Sequence, residues 1–196
     1  MTAFVTQPAP DFNADALVNG QFQANFTLSQ FKGKKVVLFF YPLDFTFVCP
    51  TEILAFSDAI AEFRQRNTEV IGVSVDSKFS HWAWTNTERG VGGIKGLAYP
   101  LVSDLNKTIA SDYGVLLPAG VALRGLFIID GDEKQTLRHI TVNDLPLGRN
   151  VEEVLRVLDA IDYTNEHGEV CPANWHKGKK ALTPTFDGLK EYSGGK

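Results

Sequence analysis

A mixed α/β fold, one sheet with helices on its faces, is predicted by three observations. Strand-like and helix-like segments alternate along the chain, the pattern that layers helices on a sheet. The run Lys35-Val-Val-Leu-Phe-Phe-Tyr41 is β-branched and aromatic without polar alternation, which suits a central strand buried on both faces. Val151, Val154, Leu155, Leu158 and Ile161 fall on one helical face just after Asn150, with Glu153 placed to complete a capping box.

Taken in order, residues 8–35 are short apolar stretches broken by turn signals. Asn19-Gly20 between Asp15-Ala-Leu-Val18 and Gln21-Phe-Gln-Ala-Asn-Phe26 is a two-residue hairpin signature, because these residue types tolerate the positive φ that such a turn requires. Pro42 ends the central strand. From 50 to 66, Ile53, Phe56, Ile60 and Phe63 recur at spacings of three and four, predicting one amphipathic helix that begins at Cys49 or Thr46. Val70-Ile-Gly-Val-Ser-Val75 is a second buried strand. Residues 78–88 make a helix with His81, Trp82 and Trp84, and Gly90, Gly92, Gly93 and Gly96 a loop. Residues 104–113 make a short helix, 125–129 a third strand and 135–142 a fourth, with Asp130-Gly131 as the turn. Beyond Gly168 the chain is polar and punctuated by Gly and Pro. This tail cannot form a core of its own, so it lies on the main domain or on another subunit. The organisation expected is a domain over 1–166 and a tail over 167–196 carrying Cys171.

The 196 residues, 44% hydrophobic and 21% charged, are enough for a globular domain that needs neither disulfide nor metal to fold. A net charge of −4 argues against sequence-independent nucleic-acid binding, which needs an excess of clustered Lys and Arg. The short basic clusters at 32–35 and 177–180 read as solvated loop charge. The longest apolar run, 36–43, is far short of the ~20 residues a membrane-spanning helix needs. The first residues lack the basic and apolar regions of a secretory signal, so the cytoplasm is the expected location. Two cysteines there read as thiols rather than a structural staple.

Tyr41-Pro-Leu-Asp-Phe-Thr-Phe-Val-Cys-Pro-Thr-Glu52 joins a buried strand to a helix and places Cys49 at the first helical turn. Free N–H groups and the positive end of the helix dipole favour a thiolate there. Such a shift matters: a thiol of pKa ~8.5 is about 3% ionised at pH 7, one near 6 about 90%. Pro50 has no N–H to lose in a first turn, and Glu52 suits the same end. Thr46 is either an N-cap or a hydroxyl aimed at the sulfur or at a bound oxygen. The plainer alternative for Cys49 is a small buried hydrophobe.

Phe45-Thr-Phe-Val-Cys-Pro-Thr-Glu52 followed by Gly168-Glu-Val-Cys-Pro-Ala-Asn-Trp175 resembles the typical 2-Cys peroxiredoxins, the group that includes the peroxidase component of alkyl hydroperoxide reductase. Val73-Ser-Val-Asp76, His81-Trp-Ala-Trp84, Tyr99-Pro-Leu-Val-Ser-Asp104 and Arg124-Gly-Leu-Phe-Ile-Ile-Asp130 are similar too, so the match spans nearly the whole chain. The resemblance implies a thioredoxin-like sandwich with an N-terminal hairpin extension and a C-terminal tail. It implies reduction of hydrogen peroxide and alkyl hydroperoxides: Cys49 attacks the terminal peroxide oxygen and becomes a sulfenic acid. Thr46 would hold the peroxide, Arg124 stabilise negative charge, Pro42 wall the pocket and Glu52 orient Arg124. Cys171 would resolve the sulfenic acid from the partner subunit of a homodimer, although spacing alone does not say whether the two cysteines pair within or between chains. Assembly into a decameric ring is implied as well.

No Cys-x-x-Cys and no Gly-x-Gly-x-x-Gly occur, so no bound cofactor is expected and electrons come from thioredoxin or a flavin-dependent disulfide reductase. The missing Cys-x-x-Cys also argues against a thioredoxin-type oxidoreductase. A cysteine hydrolase needs a histidine beside Cys49, and none of the four has a supporting motif; His167, Cys171 and His176 make only a weak zinc pattern. The alternative function is a redox-regulated chaperone holdase or peroxide relay. The chain departs twice from the pattern of those peroxiredoxins that are sensitive to inactivation by peroxide: Lys95 ends Gly92-Gly-Ile-Lys95 where they have Gly, and Ser193 follows Tyr192 where they have Phe, with Gly194-Gly195 discouraging helical continuation.

Overall fold

The computed structural model describes residues 3–194, and the chain divides into two compact units, Met1–Arg149 and Asn150–Lys196. Seven strands form one mixed sheet in the first unit: β1 (Asn13–Val18), β2 (Gln21–Thr27), β3 (Lys35–Phe40), β4 (Thr68–Ser74), β5 (Leu101–Ser103), β6 (Arg124–Ile129) and β7 (Leu137–Asn143). Their order is β2-β1-β5-β4-β3-β6-β7, with β3, β4 and β5 parallel and the remaining pairs antiparallel. The same unit holds helices α1 (Cys49–Asp58), α2 (Ile60–Gln65), α3 (Lys78–Thr85) and α4 (Thr108–Asp112).

All six residues of β3 are buried, as its composition requires. Val36, Leu38 and Phe40 join the apolar cluster with Ile71, Val73, Phe127 and Ile129. The alternate residue Phe39 stacks on Phe56 of α1 at 4.9 Å and meets Tyr99 edge-on at 5.8 Å. Phe39 thereby anchors α1, and truncating such a ring costs about 3–5 kcal/mol. The β1–β2 hairpin turns on Asn19 and Gly20, whose φ values of 49° and 76° are those of a type I′ turn.

Several predicted elements differ in the structure. The single helix expected over 50–66 is interrupted at Ala59, where ψ rises to 6°, and continues as α2. The helix expected to reach residue 88 stops at Thr85, where the Thr85, Asn86 and Thr87 side chains all bond backbone carbonyls of the last turn. Only Thr108–Asp112 of the stretch 104–113 is helical; the Asp104 carboxylate accepts from the Ile109 and Ala110 amides at 3.1 and 2.7 Å. The three-residue strand β5, too short for a periodic signal, inserts between β1 and β4. Asp130-Gly131 is part of a longer connection, 130–136, in which Asp132 accepts from Thr136. The cluster at 32–35 is not simply solvated: Lys34 pairs with Glu69 at 2.7 Å and Lys35 is buried.

The second unit comprises α5 (Val151–His167), a loop and α6 (Phe186–Ser193). Asn150 caps α5 by accepting from the Glu153 amide at 3.0 Å, and Gly168, at φ 66°, closes it. The tail is more ordered than its polarity suggests. Val170 and Leu182 exchange backbone hydrogen bonds, and Trp175 is buried with its ring 5.0 Å from that of Tyr163.

Candidate active site

The loop from Tyr41 to Val48 carries the chain from β3 into α1, and a buried polar network fixes it. Tyr41 Oη donates to Asp44 Oδ1 at 2.8 Å, while Ser80 Oγ and His81 Nδ1 lie 2.8 and 2.9 Å from Asp44 Oδ2. The Asp44 amide donates to Asp76 at 2.9 Å. Burial, reinforced by Asp44, raises the Asp76 carboxyl above its ordinary range. His81 spends its other ring nitrogen on the Val102 carbonyl at 3.2 Å, so this buried histidine serves the loop and not a cysteine–histidine pair.

Cys49 is the first residue of α1 and fully buried. The N-cap is Val48, with no side-chain cap; Thr46, expected as a possible cap, donates instead to the Leu43 carbonyl at 3.0 Å. That bond ties up the hydroxyl hydrogen inside the loop and leaves oxygen lone pairs to accept from a ligand. Pro42 is buried at the end of β3.

Arg124, the first residue of β6, completes the site from the neighbouring strand. Its Nε donates to the Leu145 carbonyl at 2.7 Å, which fixes the guanidinium plane. Its Nη1 lies 3.4 Å from Cys49 Sγ and 2.7 Å from Glu52 Oε2. The cation is thus held against the sulfur by a carboxylate one turn along the cysteine's own helix, in a region sealed from water. Arg124, 75 residues from Cys49 in sequence, is brought by the fold against Cys49 and Glu52, which are neighbours on one helix.

The chain that folds this site together has relatives among known proteins. The AhpC/TSA family model matches residues 5–140. The chain belongs to this family. The model for the C-terminal domain of 1-Cys peroxiredoxin matches residues 160–195. Peroxiredoxin-2 of Bos taurus is 58% identical over 191 residues, 97% of this chain and 94% of its own length. A thioredoxin peroxidase of Echinococcus granulosus is 52% identical over 193 residues, 98% of each chain. The reduced 2-Cys peroxiredoxin of Plasmodium vivax superposes with a TM-score of 0.93 at 45% identity, covering 98% of this chain and 99% of its own. The protein is therefore a peroxiredoxin with the thioredoxin-like fold, an enzyme that reduces peroxides through a thiol.

The peroxiredoxin site contains one residue that sequence reading missed. Arg149, with its side chain 2% exposed, donates from its backbone amide and from Nε to Glu52 Oε1 at 2.8 and 2.7 Å. Its Nη1 donates to the carbonyls of Phe40 and Gly125 at 2.7 and 2.8 Å, and its guanidinium lies 5.0 Å from the Phe39 ring. Nη2 is buried without a partner. Burial lowers the Arg149 pKa, Glu52 raising it in opposition. Glu52 therefore serves two arginines, one oxygen to each. The only local signal was a charged residue directly before a helix cap, which ordinarily means an exposed arginine.

Cys171 stands in the second unit of this peroxiredoxin, half-buried, with Sγ 3.9 Å from the Ala160 carbonyl of α5. Burial raises its pKa, Arg156 lowers it and Glu169 raises it.

Proposed function

We propose that the Cys49 thiolate attacks the distal oxygen of hydrogen peroxide or an alkyl hydroperoxide. The S–O bond forms as the O–O bond breaks, and the leaving oxygen departs as water or alcohol after taking a proton. The observation that carries this reading is the Arg124 Nη1 position, 3.4 Å from Cys49 Sγ, where its charge supports both the thiolate and the oxygen on which negative charge develops. Thr46 holds the peroxide in line and Pro42 limits water.

Cys171 of the partner subunit then displaces hydroxide from the Cys49 sulfenic acid, leaving an intersubunit disulfide. Thioredoxin or a flavin-dependent disulfide reductase regenerates the thiols; the Echinococcus relative, named as a thioredoxin peroxidase, favours the former. The homodimer assembles into a decameric ring, for which the exposed Phe22, Phe79 and Trp82 side chains offer apolar surface. The reducing cytoplasm is the setting.

Non-reducing electrophoresis tests the cysteine roles together. Peroxide is expected to convert monomer bands to dimer, and Cys49→Ser and Cys171→Ser are each expected to block the doubly bridged form. An oxidised monomer with an internal Cys49 to Cys171 bridge would overturn the intersubunit assignment.

A further inference from the structure

One strip of α5 grips the segment that carries Cys171 at successive points. Tyr163 Oη donates to Glu169 at 2.6 Å, Cys171 Sγ donates to the Ala160 carbonyl at 3.9 Å, and Arg156 Nη1 donates to the Trp175 carbonyl at 2.8 Å. Arg156 and Ala160 are one helical turn apart and face the same way, so the guanidinium stands on the side of the helix where the sulfur rests. Glu153 grips the guanidinium at 2.6 and 2.8 Å, leaving Nη1 aimed at the loop.

We propose that Arg156 is the positioning residue for disulfide formation: it ties the Cys171 loop to α5 and places a cation on the side of the thiol that must become an anion. This rests on the assignment of Cys171 as the resolving cysteine. In the step concerned, Cys171 gives its proton to solvent and its thiolate attacks Cys49 Sγ. The S–S bond forms, the S–O bond breaks, and hydroxide leaves to become water; the Cys171 sulfur is oxidised and the sulfenic sulfur reduced.

Burial disfavours the thiolate of Cys171, and Arg156 counters that burial. Glu169 works against the thiolate and is held in place by Tyr163, whose ring stacks on His167 at 4.2 Å. Two further carboxylates share this side of α5: Glu153, which pairs with Arg156, and Asp159, one turn beyond it. Arg156 is 34% exposed, so water moderates its effect. A thiolate also becomes a weaker nucleophile as its basicity falls, which limits the net gain in rate to about twofold to fivefold.

Stopped-flow tryptophan fluorescence on the full-length enzyme after a peroxide pulse, repeated across pH, separates sulfenic acid formation from disulfide formation. For Arg156→Met the first phase is expected to be unchanged. The second is expected to slow by about twofold to fivefold at pH 7, with its pH profile moved upward. Arg156→Lys keeps the charge and is expected to recover most of the profile, while Glu169→Gln is expected to move it downward. An unaltered second phase in Arg156→Met, or Met and Lys variants equally slow with the wild-type pH profile, would overturn the proposal. A second phase that survives in Cys171→Ser would instead overturn the assignment of Cys171 itself.

Discussion

Arg124 Nη1 lies 3.4 Å from Cys49 Sγ and 2.7 Å from Glu52 Oε2, so one donor group touches both the nucleophile and the carboxylate that orients it. The i, i+3 spacing of Cys49 and Glu52 puts both on one helix face, and that face meets the end of β6. Arg124→Ala is expected to lower the second-order rate with peroxide by about tenfold or more, the loss typical of one preorganised electrostatic donor. Arg124→Lys is expected to recover little, because a single ammonium cannot bond Leu145, Glu52 and the sulfur from one plane. A wild-type rate in the alanine variant, measured by competition for peroxide, would remove Arg124 from the site.

Arg149 does not bond the sulfur, yet Glu52 depends on it. Replacing it with Met removes three side-chain hydrogen bonds that lie among buried groups, to Glu52, Phe40 and Gly125. Breaking a buried ion pair from one side costs about 3–5 kcal/mol. Arg149→Met is therefore expected to unfold at markedly lower denaturant and to react more slowly with peroxide, because the carboxylate that steers Arg124 loses a partner. Denaturant unfolding and peroxide competition measure the two effects separately.

The sheet and its central strand were legible because burial writes itself into composition: a six-residue buried strand leaves no room for polar alternation. Hairpin and caps were legible because Asn19-Gly20 and Asn150 act through local geometry. The break at Ala59 was not, since the apolar stripe continues through it. Nor was β5, which is defined by its neighbours rather than by its own three residues. Within the site, Cys49 and Glu52 share one helical turn and were visible together. Arg149 was not, because its partners, Phe40, Glu52 and Gly125, come from three separate parts of the chain and are assembled only by the fold.

The start of α1 has little local reinforcement. It has no side-chain cap, Phe45 before it sits at a φ of 54° that costs a non-glycine residue about 1–2 kcal/mol, and Phe47 is 92% exposed. Cys49 is nevertheless fully buried, whereas a disulfide needs its sulfur ~2.05 Å from another. Resolution by Cys171, as proposed, would therefore require the first turns of α1 to unwind. Amide exchange over residues 45–55 is expected to be faster in the disulfide form than in the reduced form. Equal, slow exchange in both would show that resolution proceeds with the helix intact.

The same unwinding would set the extent of overoxidation, since a sulfenic acid held too long in its pocket meets a second peroxide and becomes sulfinic acid. In related enzymes that inactivate readily, a Gly-Gly-Leu-Gly loop and a Tyr-Phe-bearing C-terminal helix slow the unwinding. Gly93 is needed here for its own reasons, because a Cβ would lie 2.0 Å from the Thr87 carbonyl oxygen. Ile94 is buried, but Lys95, in place of the final Gly, turns outward to pair with Glu88. Helix α6 ends at Ser193 with Gly194 as its cap and buries none of its described side chains; Gly195 and Lys196 lie outside the described residues. Ser193 forfeits most of the ~1.5–3 kcal/mol that a buried Phe contributes. With Lys95 and Ser193 in these places, the enzyme is expected to show intermediate to robust resistance to peroxide. Ser193→Phe, which restores the missing ring, is expected to increase sensitivity. Mass spectrometry of Cys49 during turnover with excess peroxide reads the outcome: rapid accumulation of the sulfinic form in the wild-type enzyme at low millimolar peroxide would show that Tyr192 and the glycine loop suffice without the second aromatic ring.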